Sequence, residues 1–152
     1  MKASDTEQKT EVRFYEQVDD DLLKFAVIIA HSNGKWVICK HRERETYEVP
    51  GGHRDAGESI YETACRELQE ETGAVSFKIK PVCVYSVIGR TRVDESLNGE
   101  TFGMLYTAKI FTFGELNSEI EKILIMDELP KVWTYPLIQP KLIEEAKRRG
   151  CL

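Results

Sequence analysis

Three acidic side chains, Glu67, Glu70 and Glu71, stand three and four residues apart in the stretch ESIYETACRELQEETGA. On a helix that spacing projects them from adjacent turns, at the edge of whatever stripe the apolar residues make. At ~6 Å and an effective dielectric of ~20, each such pair repels by roughly 3 kcal/mol, and Arg66 offsets only part of it. Carboxylates gathered this way suit a hard divalent cation, which takes oxygen ligands and keeps water or substrate phosphate in its remaining positions. For an arbitrary helix the plainer reading is a solvated acidic face with relief between Arg66 and Glu70. The preceding residues tip the balance: Pro50, Gly51 and Gly52 let a backbone approach a ligand closely, and Gly57 supplies a second turn before the helix. Acids and glycines together point to phosphate chemistry with magnesium, or manganese in its place.

The helix that must carry these acids has legible limits. Ser59 and Glu62 have the spacing of a capping box, and Gly73 after Thr72 suits the left-handed residue that closes a helix. Between them Ile60, Tyr61, Ala64, Cys65, Leu68 and Thr72 recur on one face, the expected core face.

Gly52, five residues, Glu58, seven residues, then Arg66-Glu67-Leu68-Gln69-Glu70-Glu71-Thr72-Gly73-Ala74 resembles a complete Nudix box, with every fixed position filled. The approach Tyr47-Glu48-Val49-Pro50-Gly51-Gly52 is similar too, with tyrosine where tryptophan is common. The resemblance extends over roughly residues 25 to 149. It implies an α/β/α sandwich with a mixed β-sheet, and hydrolysis of a nucleoside diphosphate linked to a further group, by attack of water on phosphorus. It implies a magnesium site made by Glu67, Glu70, Glu71 and the Gly51 carbonyl, and a catalytic group of Glu67, Arg66 and Glu70. Glu67 is then the expected base within the box, with Glu119 or Glu121 open as an outside source, and Arg66 orients a catalytic glutamate. Lys40 resembles a position where many Nudix enzymes carry a phosphate-binding residue; with Gly52 and His53 it makes the expected substrate contacts. Resemblance to MutT-like members favours a (deoxy)nucleoside triphosphate such as 8-oxo-dGTP, although His53 stands where those enzymes usually have lysine. A non-catalytic nucleotide sensor on the same scaffold and an RNA 5′-end pyrophosphohydrolase are the alternatives.

Around the box, FAVIIA at 25–30 is apolar on both alternating faces, as in an internal strand. Asn33-Gly34 marks a tight hairpin, and the returning strand puts Trp36, Ile38 and Lys40 on one face with Val37 and Cys39 on the other. His41, Arg42 and Arg44 follow as possible phosphate contacts. A short strand is expected at 12–15, and Asp19-Asp20-Asp21 reads as a solvated turn. Val75–Gly89, interrupted by Pro81, reads as one bent strand or two short ones at an edge, with Tyr85 facing a substrate. Asn98-Gly99 signals a turn in a loop whose Arg90 and Arg92 are weaker substrate candidates. Thr101–Phe113 has the pattern of a central strand, with Phe102, Met104 and Tyr106 as core. Glu119–Pro130 reads as an acid followed by a strand, Trp133 and Tyr135 as pocket lining or a cap on the sheet, and residues 140–149 as a closing helix with Leu142, Ile143 and Ala146 inward.

The chain has 152 residues, 41% of them hydrophobic and 31% charged, the composition of one globular domain, with residues 1–11 as a loose tail. A net charge of −5 argues against a nonspecific binder of DNA, and a small anionic substrate would need a metal or local basic groups; the small nucleotide partner is what the resemblance implies, and no stretch suggests a membrane anchor. Cys39, Cys65, Cys83 and Cys151 form no CxxC pair, and the scattered histidines show no zinc-ligand spacing. Reduced thiols in the cytoplasm are expected, with Cys65 buried and inert. The oligomeric state is left open by the sequence.

Overall fold

The computed structural model describes residues 10–89, 99–116 and 119–152. Seven strands build one sheet: β1 (Glu11–Tyr15), β2 (Leu23–Ser32), β3 (Lys35–His41), β4 (Gly51–His53), β5 (Ala74–Ile88), β6 (Glu100–Phe113) and β7 (Ile120–Met126). Their order is β1-β5-β6-β2-β3-β7, with β4 paired to β2. The β2–β6 pair is parallel and the others are antiparallel, so the sheet is mixed. Helix α1 (Ile60–Thr72) and helix α2 (Gln139–Arg148) cover it, giving the expected α/β/α sandwich.

Alternation along β2 explains the unbroken apolar run. Ala26, Ile28 and Ala30 pack with Ala64 and Leu68 of α1, while Val27 and Ile29 pack with Leu142, Ile143 and Ala146 of α2. A strand covered on both faces has no polar side, and full burial of a residue such as Leu68 stabilises by about 1.5–3 kcal/mol. Asn33 and Gly34 both take positive φ, 52° and 79°, the geometry of a two-residue hairpin.

Helix α1 keeps its expected limits. The Ser59 hydroxyl accepts from the Glu62 amide at 3.1 Å and the Glu62 carboxylate accepts from the Ser59 amide at 2.8 Å. Gly73, at φ 75°, closes the helix with its amide donating to the Gln69 carbonyl. Tyr61 lies at the margin of the apolar face and is half exposed, meeting the Tyr106 ring edge-on, and Cys65 is half-buried rather than enclosed.

Residues 74–88 form a single bent strand, with irregular register between Pro81 and Cys83. Val84–Ile88 pairs with β1 as well as β6, so only the first half of the strand, which holds Pro81, lies at an edge. The glycine segment also differs from a simple loop. Gly51–His53 is itself a strand on β2, and a Cβ at Gly51 would stand 2.6 Å from the Ala26 carbonyl oxygen, so only glycine permits that pairing distance. Asp20–Leu22 makes one 3₁₀ turn, with Asp20 paired to Arg54. Arg90, Arg92, Asn98 and the tail at 1–9 lie outside the described residues.

Candidate functional site

The capping box and Gly73 fix which residues of α1 face β4. Glu67 lies against Gly52 so closely that a Cβ there would sit 2.3 Å from its carboxylate. From the last turn, Glu71 accepts a hydrogen bond from the Gly51 amide at 2.8 Å. The two glycines therefore serve different ends: Gly51 lets β4 approach β2, and Gly52 leaves room for a carboxylate.

Arg66 is held in a web of acceptors. Its Nε donates to Glu58 at 2.6 Å and its Nη2 to Glu58 at 3.0 Å and to the His53 carbonyl at 2.8 Å. Its Nη1 reaches Glu67 at 2.9 Å and Glu70 at 3.0 Å. Glu58 also accepts from the Thr63 hydroxyl and the Asp55 amide. Arg66 first, and then the Asp55 amide, bring the Glu58 carboxyl down to about 2. The opposite holds for Glu67. Burial and the neighbouring Glu71 charge lift it from 4.5 to about 7, against the pull of Arg66. Glu70 is more exposed and, among the described residues, pairs with Arg66.

Beside β4 opens a cavity of about 660 Å³, within the range of small-molecule sites. Gly51, Gly52, His53 and Glu71 form one wall, Phe25, Tyr85 and Val87 another, and Tyr135, Ile138 and Gln139 a third. Arg42, Arg44 and Glu119 also line it. Arg44 donates to Glu48 at 2.8 Å and stacks 5.9 Å from the Tyr135 ring centre. His53 meets Phe25 edge-on at 6.0 Å. Gln139 is fixed at the start of α2 by accepting from the Val49 amide at 2.9 Å.

Lys40 lies elsewhere. It is on the other face of β3 from Cys39, its Nζ donates to Glu121 at 2.8 Å, and neither residue lines the cavity. Glu119 does line it, so of the two downstream acids it is the one placed near the glycines. Tyr85 and Tyr135 reach the cavity, whereas Trp133 packs on the α2-side core and bridges to Tyr47.

Sequence reasoning did not single out Glu48 or Gln139. Both are buried polar residues, and alternation alone does not distinguish a buried polar residue from an exposed one. It also saw no soft-metal spacing, yet folding brings Cys39, His41 and Glu71 together. His41 Nε2 stands 2.8 Å from Glu71 and 3.2 Å from Glu48. It is buried without an aligned hydrogen bond, so these contacts are electrostatic; the Glu71 contact raises the imidazole above its ordinary value.

The donor set fits a hard divalent ion. Glu67 and Glu71 are neighbouring carboxylates, with Glu67 raised by burial and then by the Glu71 charge, and the missing side chain of Gly52 leaves room for the Glu67 carboxylate.

The family model described as NUDIX domain matches residues 22–132. A Bacillus subtilis (strain 168) protein carrying the provisional name 8-oxo-dGTP diphosphatase YtkD is 36% identical over 83 residues, covering 55% of this chain and 52% of the relative. The match thus spans about half the length of that curated relative. Among solved structures, the Bacillus subtilis pyrophosphohydrolase BsRppH superposes with a TM-score of 0.74 at 25% identity, covering 93% of this chain and 91% of the other. A C. elegans Ap4A hydrolase shares the fold at 16% identity, with a TM-score of 0.64 and coverage of 86% and 99%.

Proposed function

From a chain that belongs to the Nudix family, we propose a magnesium-dependent pyrophosphohydrolase that cleaves a phosphoanhydride of a nucleoside diphosphate derivative, the favoured substrate being a (deoxy)nucleoside triphosphate such as 8-oxo-dGTP. The observation that carries this reading is the pair of carboxylates on the two glycines, Glu67 over Gly52 and Glu71 on the Gly51 amide, where Gly51, Gly52 and Glu71 line a cavity of nucleotide size. The names of the relatives, a diphosphatase and a pyrophosphohydrolase, support the reaction class.

Glu67, Glu70, Glu71 and the Gly51 carbonyl would hold the metal, which when bound cancels phosphate charge and lowers the pKa of a water. Glu67 is the assigned base within the box; burial and then Glu71 raise its carboxyl in the metal-free chain, and a bound cation would lower it again. Arg66 aims it, being anchored in turn by Glu58 and the His53 carbonyl. Glu119, which lines the cavity, is the reserve assignment for the base. Arg42 and Arg44 are the cations of the cavity wall and serve the phosphates; Phe25, Tyr85 and Tyr135 offer apolar and aromatic surface to a base. Lys40, with its ammonium on Glu121, is assigned to that pairing in place of direct phosphate contact. We read the chain as one domain working in the cytoplasm, consistent with four free cysteines.

The test is a nucleotide panel with magnesium or manganese, with products identified. Metal-dependent release of pyrophosphate or phosphate from a nucleoside triphosphate supports the proposal. Tight nucleotide binding without turnover would replace it with the sensor, and preference for triphosphorylated RNA over free nucleotides would replace it with an RNA 5′-end enzyme.

A further inference from the structure

We propose that Cys39, His41 and Glu71 form a site for one transition-metal ion of the zinc class, distinct in ligand chemistry from the carboxylate site for magnesium. Cys39 and His41 are two residues apart on β3 and so share the face turned toward α1, whose last turn supplies Glu71. One donor atom from each lies within 4.8 Å of the others. Glu48, whose backbone is hydrogen-bonded to that of Cys39 in both directions, brings a carboxylate oxygen to 3.2 Å from His41 Nε2 and is a fourth donor.

The chemistry of the set is selective. Sulfur, imidazole nitrogen and carboxylate oxygen in a four-membered group suit tetrahedral zinc or cobalt, whereas magnesium requires oxygen ligands in octahedral order. His41 Nε2 is buried without an aligned hydrogen bond, and coordination satisfies it. Arg44 steadies Glu48 from behind, the kind of outer support that metal sites use. Tetrahedral bonds of ~2.0–2.3 Å place donors roughly 3.5 Å apart, so side-chain ends must close by about 1 Å from their widest present separation. The ion enters by the cavity, which His41, Glu48 and Glu71 line. On binding, the buried Cys39 gives up its thiol proton and His41 the proton that its Nε2 holds against Glu71, and both leave to solvent through the cavity. A zinc ion there takes Glu71 away from magnesium, so zinc inhibits hydrolysis; this consequence rests on the proposed function, while the binding does not.

Cobalt(II) titration of the metal-free full chain, in a Cys151→Ser background that removes the exposed thiol, reads the site directly. A sulfur-to-cobalt charge-transfer band saturating at one equivalent and abolished by zinc is expected. Cys39→Ala should lose the band, and His41→Gln, which leaves the buried thiol in place, should weaken binding at least tenfold. A wild-type chain without the band, or a band that survives Cys39→Ala, overturns the site. In the activity arm, equimolar zinc should inhibit magnesium-dependent turnover of the wild type and much less that of Cys39→Ala; equal inhibition of both overturns the regulatory role. Absence of any turnover counts against the proposed hydrolysis and leaves the absorbance result standing.

Discussion

Replacing Glu67 with glutamine should make the metal-free protein more stable while disabling it. The native Glu67 carboxyl is raised from 4.5 to about 7, chiefly by burial and then by Glu71. The folded state thus binds more protons than the unfolded state between those values. Stability from this group is complete below 4.5, falls as pH rises, and is lost above about 7. At ~1.4 kcal/mol per unit the shift corresponds to about 3 kcal/mol; because the side chain retains some contact with water, ~1–3 kcal/mol is the expected range. Glutamine keeps the shape and still accepts from Arg66, so Glu67→Gln removes the penalty with little loss of packing. In chelator-treated protein at pH 8, calorimetry should show the variant melting higher, by about 2–4 °C per kcal/mol for a domain of this size. The gap should shrink toward pH 5. Magnesium should raise the melting temperature of the wild type more than that of the variant, and turnover should fall more than metal affinity does. A variant less stable than wild type at pH 8, or a gap independent of pH, refutes the idea that Glu67 is held against its own charge.

Gly52→Ala places a methyl group where the Glu67 carboxylate now lies, 2.3 Å away; the fold should survive by moving that side chain, and metal titration should show affinity and turnover down at least tenfold. Glu70→Gln breaks only a part-exposed pair with Arg66, so circular dichroism and melting should match wild type while most magnesium-dependent turnover is lost; undiminished rates would remove Glu70 from the metal site. Ser59→Ala deletes one arm of the capping box and should cost ~1 kcal/mol of stability in denaturant titration with activity at saturating metal unchanged.

The local features were legible because their causes are local. Ser59, Glu62 and Gly73 set the ends of α1 through bonds within one turn of each other, and Asn33-Gly34 set the β2–β3 hairpin through backbone conformations open to those residue types. The same holds for the apolar run of β2, whose two-sided burial follows from alternation. The box acids were readable for the same reason, since three- and four-residue spacing on a helix is a fixed geometry.

Tertiary structure alone decided what those acids and their neighbours meet. The facing of β3 on β7 sets Lys40 against Glu121 and away from the cavity, while Glu119, just before β7, lines it. The packing of α1 over β3 joins His41 and Cys39 to Glu71, residues at least thirty positions apart in the chain. A charge reveals its type in the sequence; its partner depends on which strands lie side by side, and that is fixed by burying two apolar faces at once.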